Sequence, residues 1–170
     1  MIRPALMSLI IMLSALSMQC AAQTMRGAKS FGPKAGYVSR NNSAVGGLVF
    51  EYSFSRHVRI APQAAIIFRH NDLDGFTADV DVHFPFAFAA ERAAFYPLAG
   101  VGFTSWGHHS VAADDETKDV TTHTNVFGFN CGAGIEYYCK RSLKLSLEAR
   151  YSLMRHYPTA CVTAGIAFVF

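Results

Sequence analysis

A serine becomes a nucleophile when a base lies within hydrogen-bond reach and a carboxylate orients that base. His108 and Ser110 are the pairing in this chain that meets the first condition, because residues two apart on a strand share a face. Asp115 or Glu116 could supply the carboxylate, and acyl transfer or ester hydrolysis would be the chemistry. Polar residues at a strand end feeding a loop account for the same letters. Asp114, Asp115, Glu116 and Asp119, taken with His108, His109 and His123, could gather a divalent ion. Their spacing matches no established metal motif, so a solvated acidic loop is expected, with no metal and no cofactor. Asn71-Asp72-Leu73-Asp74-Gly75 alternates carboxylates before a glycine but lacks the rest of a calcium loop, and reads as a hairpin turn.

A larger set of charges follows one phase of a period-two pattern: Lys34, Glu51, Arg59, Arg69, Asp79, Asp81, Glu136, Lys144, Glu148 and Arg150. Cations and carboxylates balance in it. Glycines share that phase at Gly100, Gly102, Gly128, Gly132, Gly134 and Gly165, as do Gln63 and Asn130. Bulky paired charges beside glycines suit a narrow, filled interior, whereas glycines at strand centres weaken an ordinary sheet surface.

The elements that must carry these residues are strands. From Phe76 to Phe88 every even position is apolar, and the odd positions hold Thr77, Asp79, Asp81, His83, Pro85 and Ala87. The alternation puts the two sets on opposite faces of one strand, roughly twice the usual length. Eight such runs are expected, at 30–40, 44–54, 58–70, 76–88, 94–108, 122–139, 143–155 and 159–170. Turn residues separate them, with the longest polar connection from Val111 to Thr121. The apolar phase carries no charge, for example Leu143, Leu145, Leu147, Ala149, Tyr151 and Leu153 in the seventh run.

Composition sharpens the choice of face. Of 170 residues, 51% are hydrophobic and only 16% charged, against a typical charged share of roughly 25%. The net charge of +3 is carried by scattered basic residues, so no nucleic-acid partner is expected. Arg3, the apolar stretch Ala5 to Met18 and the small residues around Ala22 read as an export signal cleaved after Ala22. Residues 1–22 are then the signal, 23–29 a short lead and 30–170 one barrel domain. Cys131, Cys139 and Cys161 are an odd number for an exported chain and are read as unpaired.

An even number of strands in an exported chain fits a closed barrel with lipid outside and charges within. Aromatics collect towards the strand ends, as at membrane interfaces, and Pro33, Pro62, Pro85 and Pro97 all fall towards one rim, where ladders fray. The expected fold is therefore an all-β, eight-stranded antiparallel up-and-down transmembrane β-barrel. An opposite assignment of faces would give a soluble exported barrel binding an apolar ligand.

The stretches Tyr96-Pro97-Leu98-Ala99-Gly100-Val101-Gly102-Phe103, Phe127 to Tyr137 and Leu147-Glu148-Ala149-Arg150-Tyr151 resemble the small outer-membrane β-barrels of the OmpA/OmpX type, common in Gram-negative bacteria including Bacteroidetes. The alternating end at Ile166, Phe168 and Phe170 resembles the C-terminal signal read by the barrel-assembly machinery. The resemblance implies an outer-membrane location, with lipid and lipopolysaccharide as surroundings. It leaves activity open, because this fold carries adhesins, structural proteins, small pores and lipid A deacylases or acyltransferases, the last being the class His108 and Ser110 would serve. A non-enzymatic barrel with a charge-paired, plugged lumen is expected, serving the envelope or an unknown extracellular ligand.

Overall fold

A computed structural model of the chain describes residues 26–70, 72–89, 92–112, 115–154 and 158–170, with the side chains of 109–121 excepted. The expected signal segment, residues 1–22, lies outside the described residues. The strands are β1 (Lys29–Val38), β2 (Ser43–Ser53), β3 (Arg59–His70), β4 (Leu73–His83), β5 (Phe86–Phe88), β6 (Ala93–Ala112), β7 (Asp115–Lys140), β8 (Leu143–Met154) and β9 (Thr159–Val169). Chain neighbours pair antiparallel, except β4 with β5, and β1 closes on β9. β4 and β5 lie end to end against β6, so the nine segments make an eight-stranded up-and-down barrel. Closure leaves no edge within the ring, which a sheet needs where water is absent.

Side chains alternate around this wall with the usual sense inverted. Phe127 is 75% exposed on the outside, while Trp106 is 1% exposed and Asp81 0% on the inside. Leu145, Leu147, Tyr151 and Leu153 of β8 point outward, and Lys144, Glu148 and Arg150 of the same strand point inward. Strands of 10 to 12 residues (β1 to β4, β8 and β9) fit a bilayer crossing, which takes roughly 9–11 tilted residues.

The prolines mark where the ladder is interrupted. β1–β9 pairing skips Gly32 and Pro33, and β2–β3 pairing resumes only beyond Ala61 and Pro62. The run expected as one strand from Phe76 to Phe88 is corrected here: Phe84 and Pro85 divide it into β4 and β5. Pro85 has no N–H to give β6, and the ladder is held across the break by the Phe84 amide donating to the Pro97 carbonyl at 3.0 Å.

The second correction concerns Val111 to Thr121. These residues were expected as a long polar connection, but β6 reaches Ala112 and β7 starts at Asp115, paired through Ser110↔Val120 and Val111↔Asp119. Val111, Val120, Thr121 and Thr122 are β-branched and favour the extended chain whatever their polarity. β4 stops pairing at Leu73↔His108 and β8 at Gly128↔Met154. The end of the β6–β7 hairpin therefore projects from the barrel as an arm, at the end opposite both termini.

Candidate functional site

The lumen is where the chain's chemistry-bearing side chains meet. It is layered along the barrel axis because each strand contributes every second residue. Nearest the termini, Glu51 from β2, Arg59 from β3, Glu136 from β7 and Lys144 from β8 form one cluster. Arg59 Nη1 lies 3.0 Å from Glu136 Oε2 and 3.5 Å from Glu51 Oε2. Lys144 Nζ bridges the same two carboxylates, contacting Glu51 and lying 3.0 Å from Glu136. Ser30 donates to Glu51 at 2.5 Å and Tyr138 to Glu136 at 3.1 Å. Four charges in alternation share the desolvation that any one would suffer alone, which is what makes a buried cluster tolerable.

The next layer is aromatic and ionic together. His83 stacks on Tyr96 with ring centroids 4.6 Å apart, and the Arg59 guanidinium lies 5.2 Å from the Tyr96 ring. Tyr96 donates to Glu148 Oε2 at 3.3 Å, and Lys34 Nζ is 3.4 Å from Glu148 Oε1. The Tyr96 ring lies flat on Gly134, its cross-strand partner, where any Cβ would run into the ring. Above it, Arg150 Nη1 is 3.1 Å from Asp79 and 3.0 Å from Asp81. Asn130 donates to both carboxylates at 3.1 and 3.0 Å, Gln63 to Asp81 at 2.6 Å and Thr77 to Asp79 at 2.9 Å. Gly102 faces Asp79 across the β4–β6 ladder and leaves the space its carboxylate occupies.

Of the residues the sequence singled out for the interior, Lys34, Glu51, Arg59, Asp79, Asp81, Glu136, Lys144, Glu148 and Arg150 meet in these layers. Arg69 does not, and its assignment is corrected. It keeps the inward phase of β3 but lies past the point where β3–β4 pairing shifts, between Ile67 and His70. There it is 50% exposed and pairs with Asp72, 71% exposed, at 2.9 Å. The ten expected charges thus lose one cation from the lumen. The carboxylate in excess is met by hydroxyl and amide donors: Ser30, Thr77, Tyr96, Tyr138, Gln63 and Asn130.

Sequence reading missed the far half of the lumen altogether. Val38, Val45, Ala65, Ile67, Trp106, Val126, Met154 and Cys161 pack there into an apolar cluster, with Leu73 against it. The available signal was the phase of alternation: Trp106 continues the series of Gly100, Gly102 and Thr104 on β6. Gaps in the lumen are small, one of about 30 Å³ beside Trp106 and Arg150 and one of about 10 Å³ beside Arg59 and Lys144. The first has room for about one water molecule.

The catalytic pairing is not assembled by what the structure describes. His108 is half-buried and pairs with Leu73 and Thr122 through the backbone. Ser110 is on the projecting arm, and its side chain, with those of His109, Asp114, Asp115, Glu116 and Asp119, lies outside the described residues. His123 is exposed on β7. Ile166, Phe168 and Phe170 point outward from the last strand, and the cysteines Cys131, Cys139 and Cys161 are free.

Solved structures of outer-membrane barrels share this fold. The N-terminal β-barrel domain of Pseudomonas aeruginosa OprF matches with a TM-score of 0.64 at 14% identity, over 85% of this chain and 98% of that one. Ail, the attachment invasion locus protein of Yersinia pestis, matches with a TM-score of 0.61 at 17% identity, over 86% and 100%. Neisserial surface protein A matches with 0.65 at 11%, over 83% and 95%. The chain has the fold of a small outer-membrane β-barrel. No protein-family model matches the sequence, and no curated protein does. In this barrel the belt faces lipid, so the reading with an apolar ligand cavity inside and a soluble exterior is set aside: Phe127 and Phe129 are outside and Asp81 and Glu136 inside.

Proposed function

We propose that this is a non-enzymatic outer-membrane barrel whose lumen does not conduct, and which serves the envelope as a stable wall element and as a platform for its projecting β6–β7 hairpin. The observation that carries this reading is the Arg59–Glu136–Lys144–Glu51 cluster spanning the lumen. An ion would have to break buried pairs there and then cross the apolar cluster around Trp106. The signal segment 1–22 directs export, and Ile166, Phe168 and Phe170 serve as the insertion signal for the barrel-assembly machinery. A role of the arm in contact with other surfaces is supported by likeness to Ail, named for attachment and invasion and also solved with the heparin analogue sucrose octasulfate.

In planar bilayers the folded protein is expected to give no sustained conductance; stable open channels at neutral pH would sink the closed-lumen reading. The enzymatic alternative rests on His108 and Ser110 alone. Lipid A from cells carrying Ser110→Ala in place of the native protein is expected to be unchanged, and a shift in its acylation would replace the structural reading by the enzymatic one.

A further inference from the structure

The outer wall is not smooth at the end that holds both termini. Across the sheet there, Phe88 pairs with Ala93, Ala93 with Tyr137 and Tyr137 with Leu145. A methyl group between two rings leaves a slot, and Ile135 and Leu147 continue it away from the rim. The resulting groove has a volume of about 290 Å³ and is almost wholly apolar. That is near the lower end of small-molecule sites, about 300 Å³, but it opens onto the lipid belt.

Cations lie on the chain segments next to the residues that line the groove. Arg92 immediately precedes Ala93 and is tied beside the groove by the Tyr138 amide, which donates to the Arg92 carbonyl at 2.9 Å. Lys140 ends β7 opposite Leu143, and Arg141 begins the turn into β8. Among the described residues no ion pair engages these three. The segments at this end hold Arg26, Lys29, Arg56, Arg92, Lys140 and Arg141 in their sequence against the single acid Glu91. The turns at the other end balance, with Asp72 and Asp114 against Arg40 and Arg155 in their sequence.

We propose that the groove and its rim bind one anionic phospholipid of the adjoining leaflet. One acyl chain fills the slot over Ala93, and the phosphate lies between Arg92 and the Lys140–Arg141 turn. The Tyr137 ring stands at headgroup depth, with its apolar body against the chain and its hydroxyl towards water. A zwitterionic lipid would fill the slot equally well but would gain less from the rim. The site is independent of whether the lumen conducts.

Native mass spectrometry of the full folded chain, released from micelles holding equal amounts of phosphatidylglycerol and phosphatidylcholine with identical chains, tests this. One phosphatidylglycerol is expected to be retained in preference, and the preference is expected to fall by about fivefold for each cation removed in Arg92→Gln, Lys140→Gln and Arg141→Gln. Ala93→Phe, which fills the slot, is expected to abolish retention of either lipid. Equal retention of the two lipids by the native chain overturns the proposal, as does a preference that survives the triple charge variant or Ala93→Phe. Should Ala93→Phe fail to fold, Leu145→Trp reports the groove in vesicles, because Trp106 is sealed in the lumen and gives a constant background. Brominated phosphatidylglycerol is then expected to quench the new tryptophan more than brominated phosphatidylcholine, and equal quenching overturns the proposal.

Discussion

Arg59 and Arg69 occupy the same phase of β3 and differ in what surrounds them. Arg59 is buried against Glu136 and Glu51, whereas Arg69 meets Asp72 in water. Arg59→Leu leaves two buried carboxylates with Lys144 alone and is expected to destabilise the barrel by about 3–5 kcal/mol. Arg69→Ala is expected to cost at most about 1 kcal/mol. Urea midpoints of the two variants in lipid vesicles check this contrast. Neighbouring residues of β4 make the same point across the wall. Val80→Arg places a charge on the lipid face and is expected to cost about 2–4 kcal/mol and to block stable insertion. Asp79→Ala is expected to be milder, because Arg150 keeps Asp81 at 3.0 Å. Equal tolerance of both changes, read by heat-dependent gel mobility, would refute the assignment of faces. Gly134→Val is expected to push Tyr96 off the wall at a cost of about 1–3 kcal/mol, and adding Tyr96→Ala should recover part of the loss in the same urea assay.

At the scale of elements, β6 and β7 are 20 and 26 residues long, while the full-length strands around them span 10 to 12. The excess lies beyond the pairing of β4 and β8, so the arm contributes nothing to closure of the ring. Replacing residues 109–121 by a two-residue Asn-Gly turn is therefore expected to leave folding and heat-dependent mobility unchanged. Loss of the folded band would show that the arm nucleates or supports the barrel. The period-two pattern made the strands legible, and their phase made the faces legible. Strand ends were less so. Pro85 interrupts a run whose alternation continues through it, because side-chain polarity does not report a missing N–H. The arm was read as a loop because its residues are polar, although their β-branching favours pairing.

For the whole molecule, the lumen joins an ionic half near the termini to an apolar half around Trp106 and Met154. Lys144 and Glu136 are 2% and 0% exposed along their side chains, beyond the reach of dissolved ions. Raising salt from the Debye regime of about 10 Å to that of about 3 Å is therefore expected to leave the unfolding midpoint nearly unchanged. A large salt-induced loss of stability would mean that water and ions enter the lumen freely.

Alternation by itself determined that the chain forms strands, that each has one apolar and one charged face, and that glycines accompany the charges. Those are local properties, set by the pleat. The tertiary structure decided how high each residue sits along the barrel axis, where the ladder breaks and which charges find partners. Closure brings Arg59 of β3 to Glu136 of β7 and Lys144 of β8 to Glu51 of β2, pairs that are far apart in the chain and that no spacing rule connects. It also leaves Arg69 outside, because membership of the lumen depends on height along the barrel axis, which phase alone does not encode. His108 and Ser110 stand where the ring passes into the projecting arm, while the buried chemistry of the barrel is the pairing of charges.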